Sequence, residues 1–347
     1  MNILEMTHKA FIDRFRKKYG KGEYHGSAVY RHLLKNNRQD IAALAVFSAD
    51  PVLAGTVEKD LKVKTGVLVK TERQGKVVKF ITGFSDGLET ESVIVPMENH
   101  NTICISSQVG CRMGCGFCET GSMGLVRNLT VPEIVGQVYT ARARLNQKIR
   151  NVVFMGMGEP FDNFDAVQKA IAVMSDQRGM DIAQKHITLS TAGRIDGISR
   201  LAISDMKQVR LAVSLNAPND EIRSLLMPIN KKMPMAMLKE VLLAYPLGKK
   251  QSIFIEYVLI KGINDGKAHA LQLSDYLKPL KIKLNLIPLN PGRSLQYRPP
   301  TEKGLEQFRK WLVEKKVFVR KRAPKGNNIM AACGQLGNRC KKSNPKK

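Results

Sequence analysis

Three of the six cysteines of this 347-residue chain are crowded into one short loop, as Cys111, Cys115 and Cys118 of CRMGCGFCETG. Thiolates are nucleophiles and soft metal ligands, so such a grouping points to chemistry. Disulfides fit poorly: half-cystines this close on one loop close strained rings, and the N-terminal stretch MNILEMTHKAFIDRFRKKYGKG lacks the features of a secretory signal. Structural zinc wants a fourth Cys or His, usually in a second pair, and no matching pair follows. Ordinary buried thiols leave the grouping and its glycines unexplained. An iron–sulfur cubane accounts for the count, because four irons held by three protein thiolates leave one iron open to chelate a small molecule.

Such a loop has to be presented by a rigid frame. From residue 101 onward the runs TICISS, RNVVFMG, KHITLST, QVRLAVSL, SIFIEYVLI and IKLNLIPLN each precede a turn and a helix-length segment. These strand–helix units predict parallel strands whose right-handed crossovers curl them into an open or closed barrel. Chemistry then gathers at the C-terminal strand ends, and the cysteine loop follows the first strand. GMGEP ends the second strand: its glycines, Gly158 among them, let backbone approach a ligand, and Glu159 can accept from an amino group. The plain alternative there is a turn with a solvated Glu. Ser190 closing HITLS, Ser214, Leu215 and Asn216 closing RLAVSLN, and Asn290 closing LIPLN offer hydroxyl, amide and backbone groups to a ribose and an adenine.

Residues 1–95 read as a separate small α+β domain, with a helical pattern through Lys35 and then alternating strands in TGVLVKTERQGKVVKFITGFSDG and ESVIVP. Residues 96–300 form the barrel core. Residues 301–347 extend it with a helix, a strand in VFVRKR, the loop AACGQLG and a basic tail.

Lys and Arg number 56 against 30 Asp and Glu, a net charge of +26. A surface this cationic gains free energy by releasing counterions from phosphates, which makes nucleic acid the expected partner. Basic runs such as RFRKKYGKG and RCKKSNPKK would position it without reading its sequence. The apolar runs are too short and interrupted to cross a bilayer, so a soluble cytoplasmic protein without membrane attachment is expected.

The CxxxCxxC spacing, with the aromatic Phe117 in CGFC, resembles the radical S-adenosylmethionine (SAM) superfamily, in which the open iron grips the amino and carboxylate groups of SAM. The match narrows further. CISSQVGCRMGCGFCETG, RNLTVPEIVGQV, FMGMGEP, SLNAPNDEIRSLLMPINKK, EYVLIKGINDG, KLNLIPLNPG and AACGQL together resemble the RlmN/Cfr family of RNA adenosine methyltransferases. The resemblance implies a partial (β/α)6 TIM-like barrel of radical SAM type, a [4Fe-4S] cluster on Cys111, Cys115 and Cys118, and two SAM molecules per turnover. It also implies an electron donor such as flavodoxin or ferredoxin, an RNA substrate (ribosomal, transfer or both) and a monomeric enzyme.

Such a family must attach a methyl carbon to C2 or C8 of adenine, with C2 the expected position here. Those carbons are electrophilic and do not attack a methyl sulfonium. By resemblance, one SAM methylates Cys333, a second yields the radical that removes hydrogen from that S-methyl group, and the carbon radical adds to the base. Cys104 would take up the ring proton and close a disulfide with Cys333 that frees the product. Glu91 would act as proton acceptor. Without the family, Cys104 reads as a buried strand thiol, Cys333 as a small core residue and Glu91 as an exposed edge-strand carboxylate. Cys340 has no family counterpart and reads as a surface thiol. Asn216 stands where the family carries His, and Met330 where an Asp precedes AACGQL. Two other readings compete: a radical SAM enzyme of different outcome, and a non-catalytic basic RNA-binding protein with a structural metal.

Overall fold

The computed structural model describes residues 1–61, 63–292 and 297–337, so Cys340 lies outside the described residues. Its strands are β1 (Val67–Gln74), β2 (Val77–Gly83), β3 (Glu89–Pro96), β4 (Asn101–Cys104), β5 (Gln108–Cys111), β6 (Gly124–Asn128), β7 (Ile149–Phe154), β8 (Ile187–Thr191), β9 (Arg210–Ser214), β10 (Ile253–Leu259), β11 (Ile282–Pro288) and β12 (Val319–Lys321). Ten of them form one sheet in the order β1-β2-β3-β4-β7-β8-β9-β10-β11-β12, and β5 and β6 form a separate ribbon. From β4 to β12 every neighbour is parallel. The six apolar runs expected as parallel strands are β4, β7, β8, β9, β10 and β11, and the short strand within VFVRKR adds a seventh, β12. β1 and β12 do not pair with each other, so the sheet is an open, partial barrel.

Parallel neighbours need crossovers, and helices supply them: Val131–Ala143, Phe164–Ser175, Ile195–Ala202, Met235–Ala244, Lys267–Leu277 and Glu302–Glu314. The first is set by TVPE. Glu133 accepts from the Thr130 amide at 2.8 Å, and Pro132 lies in the first turn, where its missing N–H costs nothing. Strands buried on both faces need continuous apolar runs. Accordingly Leu211, Ala212 and Val213 in β9 and Leu284 and Leu286 in β11 are all buried.

The N-terminal helices His8–Tyr19 and Glu23–Leu34 bury Phe11, Phe15 and Tyr30 in the same apolar cluster as Val138 and Phe154. The hairpin β1–β2 and β3 extend the barrel sheet through antiparallel pairing of β3 with β4, where Val93 faces Cys104. One sheet and one core therefore run across residue 95. Among the described residues, no helix is long and apolar enough to cross a membrane.

Candidate active site at the strand ends

Cys104 is the last residue of β4, and three residues later the chain turns into β5, which ends on Cys111. Gly110 makes that ribbon possible. It has φ +74°, and a Cβ there would lie 1.9 Å from the Gly124 carbonyl oxygen on β6. The loop is then pinned by Gly116 N donating to Leu226 O (2.9 Å) and by Cys118 N donating to Cys115 O (3.1 Å). Cys111, Met113 and Phe117 form a small apolar cluster, apart from the main core, with Ala192, Ile260 and Leu289 from beyond β8, β10 and β11. Cys115 and Cys118 pack against it.

Burial pushes the Cys111 thiol up to about 12 and holds Cys115 well above the usual thiol range, where Cys118 and Cys111 add to the effect; burial raises Cys118 as well. Burial thus favours the neutral thiol over the thiolate at all three positions, and a metal bound there would have to displace the protons. Among the described residues, no three His, Cys, Asp or Glu side chains converge on one metal ion. A cubane takes one thiolate per iron, so its ligands need not meet at a point, and three apolar-shielded thiols on one loop fit that donor set.

Next to the loop stands the end of β7. Gly158 (φ +102°) crosses so close to Gln108 that a Cβ would lie 2.8 Å from its backbone nitrogen. Glu159 is buried. Its carboxylate accepts from Ala192 N (2.7 Å) and Phe161 N (3.2 Å), and its amide donates to the Gln108 side-chain oxygen (2.8 Å), which ties β7, β8 and the start of the cysteine loop together. Burial lifts its carboxyl to about 7 against those hydrogen bonds, and Cys111 and Cys115 lie within its electrostatic reach. It is not a solvated turn residue.

Ser190 and Ser214 sit half-buried at the ends of β8 and β9. Leu215 and Asn216 follow, each donating its amide to Glu256 O (3.0 and 3.3 Å). Asn216 adopts φ +57°, which Asn tolerates better than most residues. Its side chain is engaged in the fold: Oδ1 accepts from Val258 N at 2.8 Å, and Nδ2 faces Met227 Sδ at 3.4 Å. Asn264 ties the same turn by donating to Asn216 O and Val258 O, both at 2.8 Å.

Arg223, fully buried, joins the ends of β8 and β9 by donating to Ala192 O (2.7 Å) and Leu215 O (3.2 Å). Gln108, Arg223 and Asn264 were not singled out from the sequence. The only available signal was their place inside conspicuous motifs.

The C-terminal segment reaches the same strand ends. Asn290 donates to Cys333 O (3.0 Å), its own buried Oδ1 having no partner among the described residues, and Gln335 donates to Pro291 O (2.8 Å). Glu119, the residue after Cys118, donates its amide to Gly334 O at 2.8 Å, and the Thr120 hydroxyl donates to Leu336 O. Ala331 and Leu336 pack with Val93, and Cys104 packs against them. The Cys333 loop is therefore bonded directly to the Cys118 end of the cysteine loop and lies beside Cys104. Cys333 is exposed rather than a core residue, and its thiol is close enough to Cys104 and Cys118 for charge on one to be felt by the other.

Cys104 and Cys333 are both free thiols, and the expected disulfide between them is not present in this structure. Glu91 is also not the exposed edge residue of the plain reading. It is buried on β3, an interior strand, and accepts from Gly337 N at 2.8 Å. Met330 takes the left-handed conformation, φ +51°, which the family's Asp would adopt more readily.

Comparison with known proteins agrees with this arrangement. The radical SAM superfamily model matches residues 105–273. The chain is 41% identical to "Probable dual-specificity RNA methyltransferase RlmN 1" of Protochlamydia amoebophila, over 97% of this chain and 94% of that protein. It is 38% identical to the dual-specificity RNA methyltransferase RlmN of Geobacter sulfurreducens, over 94% and 89%. The crystal structure of a radical SAM methyltransferase from Sphaerobacter thermophilus superposes with a TM-score of 0.90 at 34% identity, covering 98% of this chain and 99% of that one. A loop of three cysteines at the first parallel strand, a second cysteine loop bonded to it and close relatives along nearly the whole chain lead to one assignment: this protein belongs to the RlmN family of radical SAM RNA methyltransferases.

Proposed function

We propose that this enzyme methylates C2 of an adenosine in structured RNA, ribosomal and transfer RNA both being substrates, through a methyl group carried on Cys333. Two relatives named as dual-specificity enzymes favour the pair of substrates, and the net charge of +26 favours a large polyanion. The observation that carries the reading is the bonding of the Cys333 loop to the cysteine loop through Glu119 N and Thr120.

Cys111, Cys115 and Cys118 would hold three irons of the cluster. Gly158 and the carboxylate of Glu159 would receive the amino-acid end of SAM. Ser190, Ser214, the backbone of Leu215 and Asn216, and the unpartnered Oδ1 of Asn290 would receive the nucleoside end. When bound, the cluster and SAM supply an electron, a methyl group and a hydrogen-abstracting radical. Cys333 would present its sulfur for methylation from an exposed loop; its S-methyl carbon, having lost one hydrogen atom, would bond to C2 of the base, and the adduct would give up one electron, returned to the cluster, and the ring proton. Cys104, at the end of β4 beside that loop, would attack the Cys333 sulfur: the S–S bond forms as the S–CH2 bond breaks, the methylene carbon takes a proton to become the new methyl group, and an external thiol reductant then restores the dithiol. Glu91 takes up a proton in that sequence. A flavodoxin- or ferredoxin-type donor supplies the electron. The N-terminal region, 1–95, contributes phosphate contacts.

Nucleoside mass spectrometry on RNA treated with the reconstituted enzyme tests this. Wild type yields 2-methyladenosine; Cys333→Ala yields none while still cleaving SAM; Cys104→Ala leaves a covalent protein–RNA species. A Cys333→Ala enzyme that still methylates RNA would overturn the carrier, and 8-methyladenosine would overturn the position.

A further inference from the structure

The two ends of the Cys333 loop are gripped by one buried ion pair. Lys79 in β2 is registered with Val93 in β3, which is registered with Cys104 in β4, so the three side chains share one face of the sheet. Glu91, paired with Ile81, lies diagonal to Lys79 on that face. Lys79 Nζ is 3.3 Å from Glu91 and 3.1 Å from Glu72, and the Lys79 and Glu91 side chains are each only 5% exposed. From this pair one hydrogen bond goes to each end of the loop: Lys79 Nζ donates to Met330 O at 3.4 Å, and Glu91 accepts from Gly337 N at 2.8 Å. Cys333 is held between these two points.

The interface here is not close-packed. A polar cavity of about 120 Å³, lined by Lys70, Glu72, Lys79, Glu91, Gln335 and Gly337, lies between the hairpin and the loop. Ala331 and Leu336 pack against Val93 beside that cavity and uncharged bonds hold the middle of the loop, while at its two ends directional bonds to charged groups are added. A buried ion pair is a poor device for stability alone, since its desolvation cost rivals its attraction. Its best-attested use is to specify one arrangement among several.

We propose that Lys79 is a positioning residue for methyl transfer: with Glu91 it clamps both ends of the 330–337 loop and so holds Cys333 beside the cysteine loop and Cys104. This rests on the reading of Cys333 as methyl carrier, and its test separates the two. In the reconstituted holoenzyme, Lys79→Met is expected to speed amide exchange of the 330–337 segment by about ten- to a hundredfold, the loss of one hydrogen bond to a charged group. It should lower kcat for RNA methylation by about tenfold or more, while leaving KM for RNA, iron content and SAM cleavage in the absence of RNA within about twofold. Lys79→Arg, which keeps the charge, should restore slow exchange and most of kcat.

Unchanged exchange in Lys79→Met overturns the clamp. Faster exchange with unchanged kcat overturns its role in the reaction. If Lys79→Met does not fold, Lys79→Gln, polar but uncharged, carries the same expectations and the same two refutations. Failure of the carrier reading appears elsewhere, as methylation by Cys333→Ala with the exchange results intact.

Discussion

The two cysteine loops of this enzyme differ in how much of their support comes from distant parts of the chain. The loop of Cys111, Cys115 and Cys118 is shaped largely from within, by a glycine that lets β5 and β6 touch and by short-range backbone bonds such as Cys118 N to Cys115 O, with Leu226 O as a distant anchor for Gly116 N. The loop of Cys333 owes its place to partners from distant parts of the chain: Lys79, Glu91, Glu119, Thr120 and Asn290. The difference suits the roles proposed for them above. A cluster needs ligands that stay put through a redox cycle, whereas a carrier thiol must meet a cofactor, a base and a second thiol in turn. Bonds to a loop from outside can be exchanged without unfolding it.

The largest break in this contrast is expected from Gly110→Ala. A left-handed alanine whose Cβ meets a backbone oxygen has to open the β5–β6 ribbon, at a cost of about 3 kcal/mol. Iron bound after reconstitution should fall severalfold, while exchange in the 330–337 segment changes little. Equal damage to both loops would show that they are one cooperative unit.

Glu159 sharpens the comparison through pH. Its carboxyl is raised from 4.5 to about 7 in the folded protein, so the native state holds a proton that the unfolded chain gives up sooner. Stability from this group is fully present below pH 4.5 and declines as pH rises toward 7. For the apoprotein the loss is at most about 3 kcal/mol, at 1.36 kcal/mol per pKa unit. Denaturant titrations between pH 5 and 8 should show that decline in wild type and a flatter profile in Glu159→Gln. An unchanged slope would mean that another group titrates there.

The smallest effect is expected at the second loop. Asn290→Ala removes the bond to Cys333 O, worth about 1 kcal/mol. Exchange near Cys333 should rise about fivefold, with iron content and Tm nearly unchanged, as hydrogen-exchange and calorimetric measurements would register.

Much of the frame was legible from local pattern. Six apolar runs of strand length became parallel strands because strands covered on both faces must be apolar throughout, and spacing alone put three thiols on one loop at the end of the first of them. The partners of the polar residues were less legible. Asn216 looked like a ligand-facing amide, yet its side chain closes the turn after β9 against Val258 and Met227. Glu91 looked like an edge carboxylate, because nothing in an alternating strand tells whether a neighbour will cover it. Lys79 gave no signal at all in a hairpin rich in lysine.

By itself, then, the sequence determined whatever depends on near neighbours: the strand and helix periods, the glycine turns, the cluster-ligand spacing and the charge that calls for a polyanion. Only the tertiary structure decided which distant groups meet: that the Cys333 loop bonds to the Cys118 end of the three-cysteine loop, that Lys79 and Glu91 bond to both its ends, and that Asn290 keeps one buried oxygen without a partner among the described residues. Residues far apart in the chain share no local period, and their meeting is set by sheet register and crossover direction, which emerge only once the whole core has packed.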